Sequence, residues 1–168
     1  MIKTFDNFLP TELFNLTSDY AMRILTKQRG RMLFSSYTWG QEVVHDSPPV
    51  LAHPLPLESE LYKPLHDAVY EKCGAYPGKN QILFYYWPVH SYIPWHNDGE
   101  DPAVTVHLNR QWDVDKGGLF LYNEGEGIRG IVPKPNLGVF QTGGTQHATT
   151  PVLPRGKLRC TLQVWLKK

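Results

Sequence analysis

Residues 157–167 read KLRCTLQVWLK, and this stretch decides the fold class because both of its faces carry information. Side chains alternate across a β-strand, so Leu158, Cys160, Leu162, Val164 and Leu166 share one face, an apolar one suited to a core. The other face carries Arg159, Thr161, Gln163 and Trp165. A guanidinium, a hydroxyl, an amide and an indole in a row are costly to bury unless something satisfies them. This face therefore either meets solvent or lines a site for a polar ligand. A dicarboxylate would suit it: the planar fork of Arg159 can grip a carboxylate through two hydrogen bonds, and the hydroxyl of Thr161 can add another.

Upstream, four more short β-rich pieces share this texture: QILFYYW (81–87), AVTVHLN (103–109), GLFLY (118–122) and GVFQ (138–141), each bounded by Gly, Pro, Asn or Asp. Such spacing predicts a sandwich or barrel. Two helices precede nearly all of it. In residues 10–30, Leu13, Leu16, Tyr20 and Ile24 recur at steps of three and four up to a stop near Gly30. Residues 57–74 repeat the pattern with Leu57, Leu61, Leu65 and Val69, with Pro64 as a kink and Gly74 as a stop. The four prolines of residues 40–56 predict an irregular loop or flap between the helices. The expectation is an α+β, mainly β chain with its helices on one outer face of the sheet.

Length and composition bound the rest. A chain of 168 residues that is 41% hydrophobic can bury one sizeable core. We therefore expect one domain over 1–168, with helical support and flap over about 1–78 and the β core over about 79–168. The balance of 17 Lys+Arg against 16 Asp+Glu offers a polyanion no net attraction, so no nucleic-acid partner is expected. Cys73 and Cys160 give no disulfide framework. The N-terminus lacks an apolar signal core, and no apolar run reaches the roughly 18 residues of a membrane span. A cytoplasmic monomer without membrane contact follows as the expectation. The glycines of GEGIRG (125–130) match a dinucleotide-binding pattern, but Pro133 and Pro135 oppose the helix that must follow, and a hairpin loop is the better reading.

One further stretch carries chemistry. In WHNDGED (95–101), His96 and Asp98 are two residues apart and can present an imidazole and a carboxylate to one point. Two histidines and a carboxylate on one face of an octahedron form the non-haem Fe(II) arrangement of oxygenases, so one ligand is missing. His45, His53 and His66 fall in the flap or helical region, where surface or capping roles are ordinary, and His90 sits in a turn. His107 lies within a strand. His147 follows a glycine-rich strand end, a position that suits a ligand reaching in from the far side of a barrel.

The order H-x-D, then LNRQWDVDKGGLFLY (108–122), then GVFQTGGTQHATTPV (138–152), then RCTLQVW (159–165) resembles the 2-oxoglutarate- and Fe(II)-dependent oxygenases. Within them it is most similar to the prolyl 4-hydroxylase and hypoxia-factor prolyl hydroxylase branch. The likeness spans about residues 80–166, and FDNFLP (5–10) followed by a helix is in that branch's style. The resemblance implies a double-stranded β-helix, or jelly-roll, with supporting N-terminal helices. It also implies iron on His96, Asp98 and His147, with Arg159 on the distal carboxylate of 2-oxoglutarate. Tyr86 matches a tyrosine near that cosubstrate, and Trp165 matches a tryptophan beside the iron. His107 stands where relatives usually have a tyrosine that helps the arginine; histidine can donate the same hydrogen bond, and a satisfied core histidine is the equal alternative. The implied reaction uses Fe(II), 2-oxoglutarate and O2, with ascorbate as an accessory, and hydroxylates a C–H bond while releasing succinate and CO2. A prolyl residue of a protein or peptide is the implied substrate, under a lid formed by residues 37–49. A free amino acid or other small molecule is the alternative substrate. A cupin-like metal-binding protein is the alternative class, although it would have no need of Arg159.

Overall fold

The alternating strand is the middle of the larger of two antiparallel sheets. The structure is a computed structural model that describes residues 1–34, 39, 46–74, 76, 78, 80–125 and 127–167. Its elements run β1 (Ile2–Phe5), α1 (Thr11–Gln28), β2 (Leu33–Phe34), β3 (Leu51–Pro54), α2 (Tyr62–Cys73), β4 (Gln81–Pro88), β5 (Ile93–His96) and β6 (Ala103–His107), and then β7 (Phe120–Asn123), β8 (Ile128–Ile131), β9 (Gly138–Gln141), β10 (His147–Thr149) and β11 (Leu158–Trp165). The larger sheet has the order β1-β9-β6-β11-β4-β3-β2 and the smaller β5-β10-β7-β8. From β4 onward the chain passes back and forth between the sheets, with the β7–β8 pair staying in the smaller one, as in a jelly-roll. β1, β2 and β3 join the larger sheet from before residue 79, where only helices and flap are expected. These strands are two to four residues long, too short for a periodic signal.

Register decides which side chains meet. β11 pairs with β4 so that Arg159 faces Trp87, Thr161 faces Tyr85 and Leu162 faces Phe84. One face of this pair, with Ile82, Phe84, Tyr86, Cys160, Leu162 and Val164, packs against the two helices. The opposite face, with Leu83, Tyr85, Trp87 and Trp165, lies between the sheets. The helices thus cover one outer face of the larger sheet and leave its inner face to the smaller sheet.

The buried stripe of α1 is Phe14, Thr17, Ser18, Ala21 and Ile24, while Leu16 is 61% exposed. Counting apolar residues alone shifts the stripe, because two of its members are hydroxyl residues. Ser18 is tolerated there because its Oγ donates to Leu108 O at 2.9 Å. α2 starts at Tyr62, so Leu57 lies outside it. Pro64 falls in its first turn, where a missing N–H breaks no helical bond and no kink is required. Gly74 closes the helix at φ 87°, donating its N–H to Tyr70 O at 2.9 Å. The last three residues of GEGIRG, Ile128 to Gly130, lie in β8, which pairs with β7, so a strand and not a helix stands where the phosphate-binding helix would have to be. Among the described residues, no helix is long and apolar enough to cross a membrane. Cys73 and Cys160 are both free.

Asn136 ties the N-terminal segment to the β8–β9 connection. Its amide donates to Leu9 O at 2.7 Å and accepts from Leu9 N at 2.9 Å, both buried. Asn136→Ala leaves both backbone groups of Leu9 unpaired. It is expected to lower the free energy of urea unfolding by about 2–4 kcal/mol. A loss within experimental error would mean that this tie does not stabilise the fold.

Candidate active site

His96 ends β5 and His147 opens β10, and the two residues are direct partners in the antiparallel pair. Their rings lie 4.3 Å apart between centroids. Each ring is oriented the same way: Nδ1 of His96 meets Pro94 O at 2.8 Å, and Nδ1 of His147 meets Thr145 O at 2.8 Å. A nitrogen facing a carbonyl oxygen must carry a proton, so in each neutral ring Nε2 is the nitrogen left with a lone pair, and it is turned toward the interior. Phe120 stacks on His147 at 5.2 Å and fixes its plane from the other side.

Asp98 follows β5 by two residues and its side chain is 4% exposed. Its Oδ1 lies 3.4 Å from His96 Nε2 and its Oδ2 lies 3.3 Å from His147 Nε2. Among the described residues these three side chains form the one group whose donor atoms all fall within 4.8 Å of one another. Adjacent ligands about 2.1 Å from a shared ion stand about 3 Å apart, so the spacing fits a small divalent cation. The donor set, two neutral imidazoles and a carboxylate, is of borderline hardness and suits Fe(II). Burial pushes the Asp98 carboxyl upward, but the facing rings of His147 and His96 outweigh it and hold the group well below the usual carboxylate range. Gln141, at the end of β9, also donates its amide N–H to Asp98 Oδ2.

Arg159 enters the same interior from the larger sheet. It is 1% exposed, and its guanidinium lies over the Trp87 ring at 4.8 Å. Neither Nε nor Nη1 has a hydrogen-bond partner among the described residues. Burial lowers its pKa to about 9, which leaves it charged at neutral pH. Gly118, at φ 65°, makes room: a Cβ there would sit 2.7 Å from Arg159 Cδ. His107 stands across from Thr161 in the β6–β11 register, and both of its ring nitrogens are buried without a partner among the described residues. Burial, and then the charge of Arg159, hold its pKa well below the ordinary histidine range. Thr161 Oγ1 accepts the indole N–H of Trp87 at 3.1 Å, which leaves the hydroxyl proton free to donate onward.

A cavity of about 320 Å³ at the site's mouth is lined by Trp39, Gln81, His96, Asn97, Asp98 and Trp165, with the Lys167–Asp101 ion pair on its rim at 2.6 Å. A narrower cavity of about 30 Å³ shares Trp39, His96 and Asp98 and runs between the sheets to Arg159, past Trp87, Gln141 and Gln163. His96, Asp98 and His147 are therefore together, Arg159 lines the same inner cavity, and Trp165 lines the mouth.

Tyr86 is a correction. It points to the opposite face, where its hydroxyl donates to Ala21 O of α1 at 2.7 Å. Every residue of QILFYYW after Gln81 is buried, so polarity gives no sign of which parity faces inward, and the β11 register assigns that side to Tyr85 and Trp87. His53 lies on β3, and His66 stacks between Tyr62 and Tyr70 on α2, away from the cavity. His90 is a turn residue at φ 69°, and His45 lies outside the described residues. Sequence reading missed Trp87, Phe120 and Gln141. The only sign of Gln141 is an amide ending the otherwise apolar GVFQ.

No protein-family model and no curated protein matches the sequence. Solved structures do. A prolyl-4-hydroxylase from Pseudomonas putida aligns over 99% of this chain and 92% of its own, at 18% identity and a TM-score of 0.77. A prolyl hydroxylase from Trichoplax adhaerens, in complex with a hypoxia inducible factor oxygen degradation domain peptide fragment, aligns over 98% and 82%, at 15% identity and 0.79. The non-heme alpha ketoglutarate dependent epimerase SnoN from nogalamycin biosynthesis aligns over 99% and 78%, at 9% identity and 0.72. The chain has the jelly-roll fold of these proteins, and motif order and fold point to the same relatives.

The state of His107 can be read from stability. Folding holds this ring neutral, whereas a histidine in an unfolded chain titrates near about 6.5. Below that pH the unfolded chain takes up a proton that the folded chain refuses, so His107 makes stability fall as pH falls toward the lowered folded pKa. His107→Phe is expected to flatten the limb between about pH 6.5 and pH 5 by up to about 1.4 kcal/mol per pH unit. Urea denaturation at several pH values measures it, and an unchanged slope would mean that the ring ionises in place.

Proposed function

We propose that the chain is an Fe(II)- and 2-oxoglutarate-dependent dioxygenase that hydroxylates a prolyl residue of a protein or peptide. The observation that carries this reading is a pairing within one continuous interior. At one end are His96, Asp98 and His147, a divalent-metal donor set. At the other is a buried guanidinium with unpartnered nitrogens. A linear diacid with a chelating 2-oxo end would satisfy both. A cupin-like metal protein would have no use for Arg159.

Bound Fe(II) supplies O2 activation coupled to oxidation of the 2-oxo acid: one oxygen atom enters succinate as CO2 leaves, and the other enters the C–H bond as hydroxyl. The chain's own residues bind and position. His96 and His147 offer Nε2 because carbonyls hold their Nδ1 protons. Arg159 takes the distal carboxylate through charge-assisted hydrogen bonds. Neutral His107 and the Thr161 hydroxyl each have a proton to donate to it. Trp87 lies under the guanidinium and keeps water from its face. The inner cavity must widen to admit a five-carbon diacid.

The mouth cavity of about 320 Å³ has room for a proline ring and flanking backbone between Trp39 and Trp165. The peptide complex of the Trichoplax structure favours a polypeptide substrate, while the epimerase neighbour marks small-molecule C–H chemistry as the alternative. Of the expected lid over residues 37–49, residues 37, 38 and 40–45 lie outside the described residues, and Ser47 Oγ accepts Tyr92 N–H at 2.9 Å. Ascorbate enters only as a reductant added to the assay.

Two experiments test the reading. Arg159→Met removes the counter-charge but not the metal ligands, so 2-oxoglutarate affinity should fall by about 100-fold or more while Mn(II) affinity stays within about threefold. Unfolding of the ligand-free variant should need no less denaturant than wild type, since an uncompensated buried charge is gone. Equal loss of both ligands would make Arg159 structural. Incubation with Fe(II), ascorbate, 2-oxoglutarate and a proline-containing peptide library should give succinate and a one-oxygen mass gain on proline. Turnover of a free metabolite with every peptide unmodified would move the chain to the small-molecule class.

A further inference from the structure

The carboxylate of Asp98 is held unequally. Its Oδ2 accepts the amide N–H of Gln141, whereas its buried Oδ1 has no hydrogen-bond partner among the described residues. An amide beside a carboxylate must present its N–H, so the orientation of Gln141 is fixed by chemistry. The backbone of Gln141 is fixed as well: it pairs with Ile2 of β1 on one side and Ala103 of β6 on the other. Its side chain is 5% exposed and faces the narrow inner cavity. Asp98, by contrast, lies beyond the end of β5, with no ladder pairing of its own. A rigid strand of the larger sheet thus holds a ligand carried by a loop of the smaller one.

We propose that Gln141 is a positioning residue that restricts Asp98 to ligation through one oxygen. The inference rests on the metal reading of His96, Asp98 and His147. A carboxylate with both oxygens free can chelate an ion and take two of its six positions. With Oδ2 engaged by Gln141, Oδ1 is the oxygen left to ligate. Three positions then remain for other ligands, and a chelating 2-oxo acid takes two of them. The last is the one that O2 chemistry needs. Without Gln141, Asp98 is free to rotate and chelate, and that last position is lost.

Water bound to Mn(II) tests this without any turnover. Wild type, Gln141→Met and Gln141→Leu are loaded with Mn(II) alone, and the longitudinal relaxation of solvent protons per bound ion counts the coordinated waters. Methionine keeps the length of the side chain, leucine shortens it, and both remove the donor. In both variants the relaxation enhancement per bound ion is expected to fall by about one third, from three waters to two, while the far-ultraviolet circular dichroism is unchanged. The Mn(II) dissociation constant is expected to change by about 10-fold or more. A wild-type enhancement per bound ion in either folded variant would overturn the proposal and leave Gln141 a packing residue. Failure of wild type to bind Mn(II) would overturn the metal reading beneath it, and the two failures are distinct.

Discussion

An arginine that is 1% exposed, with its Nε and Nη1 unpaired among the described residues, is the constraint around which this molecule is arranged. A buried charge without a counter-charge is destabilising by several kcal/mol, and cores replace such groups readily. Here the surroundings accommodate it instead. Trp87 lies against its face, Gly118 withholds a Cβ beside its Cδ, and His107 stays neutral near it. These features make sense together if the counter-charge is a ligand. The fold then carries a standing deficit that an anionic ligand relieves.

The candidate metal donors face that charge from the other sheet. β5 and β10 pair so that His96 and His147 face each other, and β11 points Arg159 at them across the interior. A jelly-roll suits this because its two sheets come from interleaved strands, so side chains distant in sequence share one cavity. Near-total burial also strengthens each charge interaction inside. The hydrogen bond from Gln141 to Asp98 joins the two sheets at the point where the charges concentrate.

Much of this was legible in the chain. Alternation in residues 158–166 separates the face of Cys160, Leu162 and Val164 from that of Arg159 and Thr161, and the structure keeps that division. It was legible because one face is apolar and the other polar. β4 has no such contrast, since both its faces are buried, and Tyr86 could be assigned only by motif likeness, to the wrong side. The α1 stripe slipped for a related reason: Thr17 and Ser18 are buried through size and hydrogen bonding, which hydropathy does not register. Gln141 was hidden because its role depends on a partner 43 residues away on another sheet. Local pattern conveys faces, whereas contacts between sheets emerge only with register.

The central claim is that one ion and one diacid share this interior, and a crystal structure of the protein with Mn(II) and 2-oxoglutarate tests it most directly. The account predicts a single ion on Nε2 of His96, Nε2 of His147 and a carboxylate oxygen of Asp98. The 2-oxo end of the diacid should lie on that ion and its far carboxylate on Arg159. An ion bound elsewhere, or a diacid whose far carboxylate leaves Arg159 unpaired, would contradict it.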